Sequence, residues 1–229
     1  GVHATKMVAH FDMTAALNDR LTPERPLSLK DRCAERTQAE LAERLLVEKV
    51  NSLLPDDIAV EKIWEVSEQM HARFSATSRT YEYRITTIKD PFLINRATRV
   101  KEGLDFEAMN KAAAYLIGTH DFASFCKVHT DVKTTLCTVS EARWIIPTPL
   151  PPYSSTPLLP YSSTPIFRIS ADRFLRNMVR AVVGTLFDIG RGKIAPEAII
   201  DILEQKNRCK AGQSAPAEGL YLVDIVYPE

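Results

Sequence analysis

Apolar side chains recur along this chain with two different periods, which predict its helices and its strands. Between residues 38 and 54 they return every three or four positions and so share one helical face: Leu41, Leu45, Leu46, Val50 and Leu53. Pro55 ends this helix, and Asp105 can cap a second one that ends at Gly118. Two more helices are predicted at residues 174–189, before a Gly-Arg-Gly stop, and at residues 197–205, after a proline.

Strands are predicted where apolar and polar side chains alternate. Such segments are residues 58–66, 81–88 and 220–227, and residues 6–11, 138–146 and 166–171 are predicted as further strands. In the strand at residues 81–88, Tyr81, Tyr83 and Ile85 fall on one side. The order of strands and helices favours an α+β protein, with helices packed against a mostly antiparallel sheet.

Composition excludes several classes of protein. Of the 229 residues, 45% are hydrophobic and 25% are charged, the balance of an ordinary globular protein, and no apolar run is long enough for a membrane helix. The cysteines Cys33, Cys126, Cys137 and Cys209 form no CxxC pair, so we expect no zinc site, and reduced thiols favour the cytoplasm. Lys plus Arg and Asp plus Glu both total 29, so any RNA affinity must come from a local basic surface.

Two segments are predicted to be long loops. Residues 20–38 carry proline and mixed charge, and residues 149–165 contain the sequence PYSSTP twice. The second segment is typical of an exposed, mobile loop, and a polyproline ligand for a partner protein is the open alternative.

Five short segments carry the functional signal, and the strongest is HARFSATSRTYEYR at residues 71–84. It resembles the HARFSAT-x-R-x-Y-x-Y segment of the TruA family of tRNA pseudouridine synthases. The other four are GVHA at residues 1–4, DFASF at 121–125, FLRNMVR at 174–180 and AEGLYL at 217–222. They resemble the family's RTD-x-GVHA, DF-x-SF, F-x-R-x-M-V-R and AEGLYL segments, in family order and over nearly the whole chain.

The resemblance implies a pseudouridine synthase fold and an isomerase. The fold would have two ferredoxin-like halves, the first incomplete, with one subdomain at residues 1–100, another at residues 101–229 and the active-site cleft between them. The reaction breaks the bond from uracil N1 to the ribose, rotates the uracil and joins C5 to the same carbon, without metal or other cofactor. The family's substrate is tRNA, at positions 38, 39 and 40 of the anticodon stem-loop, and the family works as a homodimer.

The resemblance also assigns roles to single residues. Tyr81 would contact the target uracil, for which a planar phenol offers a stacking surface. Leu220 would form an apolar wall beside the uracil, Gly219 would allow close backbone approach, and His3 would lie at the substrate. Composition alone favours the alternative that Tyr81 packs in a sheet core, and the match over the whole HARFSAT segment reverses that preference.

Arginines are expected to bind the RNA and to orient the catalytic group. Arg73, Arg79 and Arg180 are assigned to RNA contact, and a solvated surface charge is the alternative for any one of them. Arg176 would pair with the family's catalytic Asp and keep it ionised. Because the predicted helix begins at residue 174, Arg176 and Arg180 would share one of its faces.

The catalytic Asp of the RTD-x-GVHA signature would stand two residues before Gly1 and is absent from this sequence. The strand, helix and strand that precede it in the family are absent as well. We therefore expect that these 229 residues alone do not form pseudouridine. Two alternatives are left open: a related synthase that acts on other tRNA sites, and a non-catalytic RNA-binding module.

Overall fold

The computed structural model describes residues 2–12, 41, 43–100, 103–127, 133–147 and 164–228. The chain divides into two compact units, one formed by Gly1–Val8 with Ser75–Glu229 and the other by Ala9–Phe74. This division does not coincide with the predicted boundary at residue 100, because strands from both sides of that residue pair within one sheet.

The larger unit is built on a sheet that has seven strands among the described residues. They are β1 (His3–Ala4), β2 (Ser78–Thr86), β3 (Thr98–Arg99), β4 (Gly118–Asp121), β5 (Leu136–Ile145), β6 (Ile166–Ala171) and β7 (Leu220–Val226). Their order is β1-β7-β2-β6-β5-β4, and β3 pairs with β2 beside this row. Only the pairs β1–β7 and β2–β3 are parallel among these strands, so the predicted α+β architecture with a mostly antiparallel sheet is confirmed.

Among the residues of this unit that the structure describes, three α-helices pack: α1 (Phe106–Ala114), α2 (Met178–Gly190) and α3 (Ala198–Gln205). Nearly every residue of α2 is buried, as its almost continuous apolar sequence requires. Phe187 of α2 lies 6.1 Å from the rings of both Tyr83 in β2 and Trp144 in β5. The core therefore lies between α2 and one face of the sheet.

Most of the predicted elements in the larger unit are confirmed, with ends that differ by a few residues. Asp105 caps α1 as expected, because its Oδ1 accepts the backbone N–H of Ala108 at 2.9 Å. The strand at residues 166–171 is confirmed at both ends. Strands β3 and β4 escape prediction, since two to four residues are too few to display an alternating pattern.

Two of the predicted strands are wrong. Residues 6–11 and 58–66 have no regular secondary structure, although apolar side chains predominate in the first and alternate with polar ones in the second. Alternation describes a surface that is buried on one side, but a strand also needs a neighbouring backbone, and no described strand pairs with either segment. In the N-terminal region the strand lies earlier, at His3–Ala4.

The smaller unit contains the first predicted helix in part, since residues 43–51 are helical. Leu45 and Leu53 are 56% and 87% exposed, so the apolar face of this segment is not buried along its whole length. After the helix, the side-chain amide of Asn51 donates to Val60 O at 2.9 Å and accepts from Val60 N at 2.7 Å. The predicted loop at residues 20–38 lies outside the described residues, and so does the predicted loop at residues 149–165 except for its last two residues.

Candidate active site

Tyr81 lies on the central strand β2, on the sheet face that packs against the helices. It is opposite Ile169 of β6 and Leu222 of β7, and its ring meets Phe174 edge-on at 5.0 Å between centroids. The side chain is half-buried, and burial raises the pKa of its phenol against the opposing charge of Arg79. No residue in the described part of the chain forms a hydrogen bond with the Tyr81 hydroxyl. The phenol therefore stays protonated near neutral pH and can donate a hydrogen bond to a ligand.

Tyr83, two residues further along the same face, is a structural tyrosine. It is fully buried, and its hydroxyl lies 2.7 Å from Thr98 Oγ1 and donates to Pro216 O at 2.8 Å. Burial raises the pKa of Tyr83 to about 12. Its hydrogen-bonding capacity is thus satisfied within the protein, in contrast to that of Tyr81.

Gly219 and Leu220 lie beside Tyr83 and are both buried. Leu220 is the register partner of Tyr83 in the β2–β7 pair. A Cβ atom on Gly219 would lie 2.7 Å from Arg84 O, 2.8 Å from Thr98 Oγ1 and 2.9 Å from Tyr83 Cζ. The close approach that this glycine permits is therefore within the protein, between the turn that precedes β7 and strands β2 and β3.

His3 is held on the other face of the sheet. Its register partner is Tyr221, which in turn pairs with Glu82, so all three side chains leave the sheet on the side opposite Tyr81. The His3 ring stacks on Tyr221 at 4.7 Å, and its Nε2 lies 2.6 Å from Asn95 O. The structure therefore does not bring His3 to Tyr81.

Arg176 lies in the turn before α2 and not in the helix. The helix begins at Met178, after Asn177, whose left-handed φ of 68° interrupts the helical path. The prediction that Arg176 and Arg180 share a helical face is wrong for this reason, which an apolar pattern does not reveal. The Arg176 side chain is exposed, and the backbone carbonyl of Arg176 accepts the backbone N–H of Lys127 at 3.0 Å.

Arg180, in the first turn of α2, is half-buried and fixed. Its Nε donates to Ala215 O at 2.6 Å, and Ala215 N donates back to Arg180 O at 2.9 Å. Its positive charge acts on Tyr83 and lowers the pKa of that phenol against the larger effect of burial. The structure thus places a fixed guanidinium near Tyr83 and beside the segment that leads into β7.

Asp172 orders the turn between β6 and α2, and sequence reasoning missed it. Its Oδ1 accepts the backbone N–H groups of Thr138 at 2.8 Å and Arg173 at 2.7 Å. Its carbonyl oxygen accepts a hydrogen bond from Arg79 Nη1 at 2.9 Å. Arg79, which was predicted to contact RNA, therefore also joins β2 to this turn. The available signal was an acidic residue two positions before the FLRNMVR segment.

Arg73 belongs to the smaller unit and is exposed. Its backbone N–H donates to His71 Nδ1 at 3.0 Å, and its guanidinium lies 5.4 Å from the centroid of the Phe74 ring. An exposed cation beside an exposed aromatic ring is a combination that single-stranded nucleic acids bind.

The described residues contain no group of three or more His, Cys, Asp or Glu side chains that could hold a metal ion. Cys137 is buried, and burial raises the pKa of its thiol to about 11, which makes it a poor nucleophile. None of the described helices has the length and apolar character that crossing a bilayer requires.

Comparison with known proteins identifies the family. A family model for tRNA pseudouridine synthase matches residues 112–228. The chain is 46% identical to the tRNA pseudouridine synthase A of Bacteroides fragilis over 229 residues, which are all of this chain and 77% of that protein. The corresponding enzyme of Bacteroides thetaiotaomicron is 44% identical, with 100% and 72% covered, and that of Bacillus subtilis is 38% identical, with 99% and 77% covered.

The segments that resemble family motifs meet in the fold. The strand that carries Tyr81 pairs with β7, which starts within the AEGLYL segment, and the FLRNMVR segment contacts Tyr81 through Phe174. This convergence agrees with an identity of 37–46% across the chain to proteins of one name. The chain belongs to the tRNA pseudouridine synthase A (TruA) family.

Proposed function

We propose that this protein converts uridine to pseudouridine in the anticodon stem-loop of tRNA, at positions 38, 39 and 40. Membership of the tRNA pseudouridine synthase A family supports an isomerase that acts on tRNA. The observation that carries the proposal is the environment of Tyr81, whose half-buried ring is fixed by Phe174 while no described residue occupies its hydroxyl.

Tyr81 is proposed to hold the uracil during the reaction. A base that has left its helix loses stacking, and an aromatic ring replaces about 1–3 kcal/mol of it. The protonated hydroxyl can donate to a uracil oxygen. Leu220 and Gly219 support this face of the sheet from within: Leu220 supplies apolar surface, and Gly219 lets the turn that precedes β7 approach β2 and β3.

Arg180 is a better candidate than Arg176 for the guanidinium that orients the catalytic carboxylate. An ion pair that must hold one geometry gains from a partner that is already fixed and partly shielded from water. Arg180 is fixed by Ala215 O through its Nε, which leaves its two terminal nitrogens to face a carboxylate. Arg176 is exposed, so a carboxylate beside it would be screened by solvent.

The exposed arginines are proposed to bind the tRNA backbone. Arg73 and Arg176 are open to solvent and can reach phosphates, and Arg79 combines such a contact with its hydrogen bond to Asp172. His3 supports the fold from the opposite face. A homodimer and a cytoplasmic location are proposed on the resemblance to the family.

Two forms of the protein test the proposal. The 229 residues and a form extended upstream through the Arg-Thr-Asp segment are assayed on anticodon stem-loop RNA. We expect pseudouridine only from the extended form, and turnover by the short form would place the nucleophile within these residues. Pseudouridine mapping in tRNA from a deletion strain tests the position: loss at sites other than 38, 39 and 40 would identify a related synthase, and no loss at all would favour an RNA-binding module.

A further inference from the structure

The segment between α3 and β7 lies directly on helix α2. An ideal Cβ on Gly184 of α2 would lie 1.7 Å from Gln213 O, so the segment reaches the helix only because this position has no side chain. Gly212 also lies close to the helix, since its Cβ would lie 2.9 Å from the backbone of Thr185. The backbone N–H of Gly212 also donates to Thr185 Oγ1 at 2.8 Å.

The hydroxyl of Ser214 joins Asn177, at the N-terminus of α2, to Arg208, which lies in the same segment as Ser214. Its Oγ accepts from Asn177 Nδ2 at 2.6 Å and from Arg208 Nη2 at 3.0 Å. These two bonds use both lone pairs of the oxygen. The other terminal nitrogen of Arg208 donates to Ala211 O and Gly212 O at 3.3 and 3.1 Å, so one guanidinium holds the whole bend.

The residue after Ser214 is the one that fixes Arg180. Ala215 accepts from Arg180 Nε and donates to Arg180 O, as described above. A shift of Ser214 therefore moves the Ala215 carbonyl and turns the Arg180 guanidinium with it. Asn177, which holds Ser214 from the other side, has the left-handed backbone that separates Arg176 from the helix.

We propose that Ser214, held by Asn177 and Arg208, is a positioning residue for the Arg180 guanidinium. The inference rests on the proposed role of Arg180 in orienting the catalytic carboxylate. Ser214 itself touches no reacting atom in this account. Its effect reaches the reaction only through the direction of Ala215 O, so its loss should lower turnover much more than tRNA affinity.

The first test is spectroscopic and needs no catalysis. In the 229-residue chain, the hydrogen-bonded Nε–H of Arg180 should give a protected ¹H–¹⁵N signal, assigned by its absence in Arg180→Lys. Ser214→Ala should remove or broaden this signal. Arg208→Lys should do the same, because lysine keeps the positive charge but lacks the planar guanidinium that donates from two nitrogens. Ser140→Ala is the matched control, because Ser140 Oγ bonds to Ser170 O in the sheet. An unchanged Arg180 signal in Ser214→Ala would overturn the proposal.

The second test measures kinetics in the form extended through the Arg-Thr-Asp segment. Ser214→Ala should lower kcat about tenfold and leave KM within about twofold, as a small displacement of an orienting group does. In the double variant with Arg180→Lys, Ser214→Ala should cause little further loss of kcat. Full additivity of the two losses would contradict the proposal. Normal turnover in Arg180→Lys alone would instead refute the proposed role of Arg180 and leave the spectroscopic result standing.

Discussion

The two faces of strand β2 are stabilised in different ways. On the face toward α2, Tyr83 and Ile85 are fully buried, and Tyr81 packs against Phe174 at the border of the same core. On the other face, Glu82 bridges Arg84 and Arg168 with N–O distances of 3.3 Å each. Arg84 also lies 3.9 Å above the ring of Tyr221.

The packed face of β2 fixes the positions of side chains, whereas the charged face mainly joins neighbouring strands. Packing against α2 leaves Tyr81 and Arg180 few alternative orientations, because neighbouring atoms occupy the space. The charged side chains lie on the face opposite Tyr81 and join neighbouring strands, with Arg168 37% exposed and Glu82 and Arg84 15% and 17% exposed. Substitutions on the packed face should therefore change function sharply, and those on the charged face should not.

The largest effect is expected from removing one oxygen on the packed face. Tyr81→Phe keeps the ring and its contact with Phe174, so the melting temperature should stay within a few degrees and tRNA binding within about tenfold. Turnover in the extended form should fall at least about a hundredfold, because the hydrogen bond to the uracil is lost. Single-turnover assays decide this, and normal turnover would refute the role of the hydroxyl.

The next largest effect is expected from a methyl group placed between α2 and the segment that contains Ser214. Gly184→Ala places a methyl group against Gln213 O, and this steric overlap is removed only if the backbone moves. We expect a loss of about 2–3 kcal/mol in the free energy of unfolding, together with a loss of turnover. Gly103→Ala is the matched control, because nothing lies within 4 Å of its added Cβ. Equal stability of the two variants in urea titrations would contradict the packing described.

A smaller effect is expected at alkaline pH, through Tyr83. Its pKa is raised by burial from 10.0 to about 12, so its contribution to stability is complete below pH 10 and declines as the pH rises through about 12. Urea titrations between pH 9 and 11.5 should show this decline, and Tyr83→Phe should make it shallower. An unchanged slope in the variant would assign the alkaline loss to other groups.

The smallest effect on turnover is expected on the charged face. Glu82→Gln removes the negative charge between Arg84 and Arg168. Because the Glu82 and Arg84 side chains are only 15% and 17% exposed, the variant should lower the free energy of unfolding by about 1–3 kcal/mol. Turnover should stay within about twofold of the unsubstituted extended form. A large kinetic loss here would remove the distinction between the two faces.

Sequence reasoning reached the fold class and the position of Tyr81, because alternation along β2 and the HARFSAT segment are local signals. It could not reach the start of α2, since Phe174 and Met178 keep the helical spacing across Asn177, whose backbone is left-handed. The placement of His3 on the opposite face follows from pairing with β7, which lies more than two hundred residues away. Asp172 accepts hydrogen bonds from backbone groups, and Ser214 from the side chains of Asn177 and Arg208. Such contacts leave no periodic trace in a sequence.

Arg180, held by Ala215, is proposed to orient the catalytic carboxylate. A comparison of Arg180→Lys with Arg176→Lys tests this role in the form extended through the Arg-Thr-Asp segment, on anticodon stem-loop RNA. Lysine keeps the charge and loses the planar two-point contact. We expect Arg180→Lys to lower kcat about a hundredfold or more and Arg176→Lys to raise KM with kcat nearly unchanged. A severe loss of kcat in Arg176→Lys with a harmless Arg180→Lys would contradict the account.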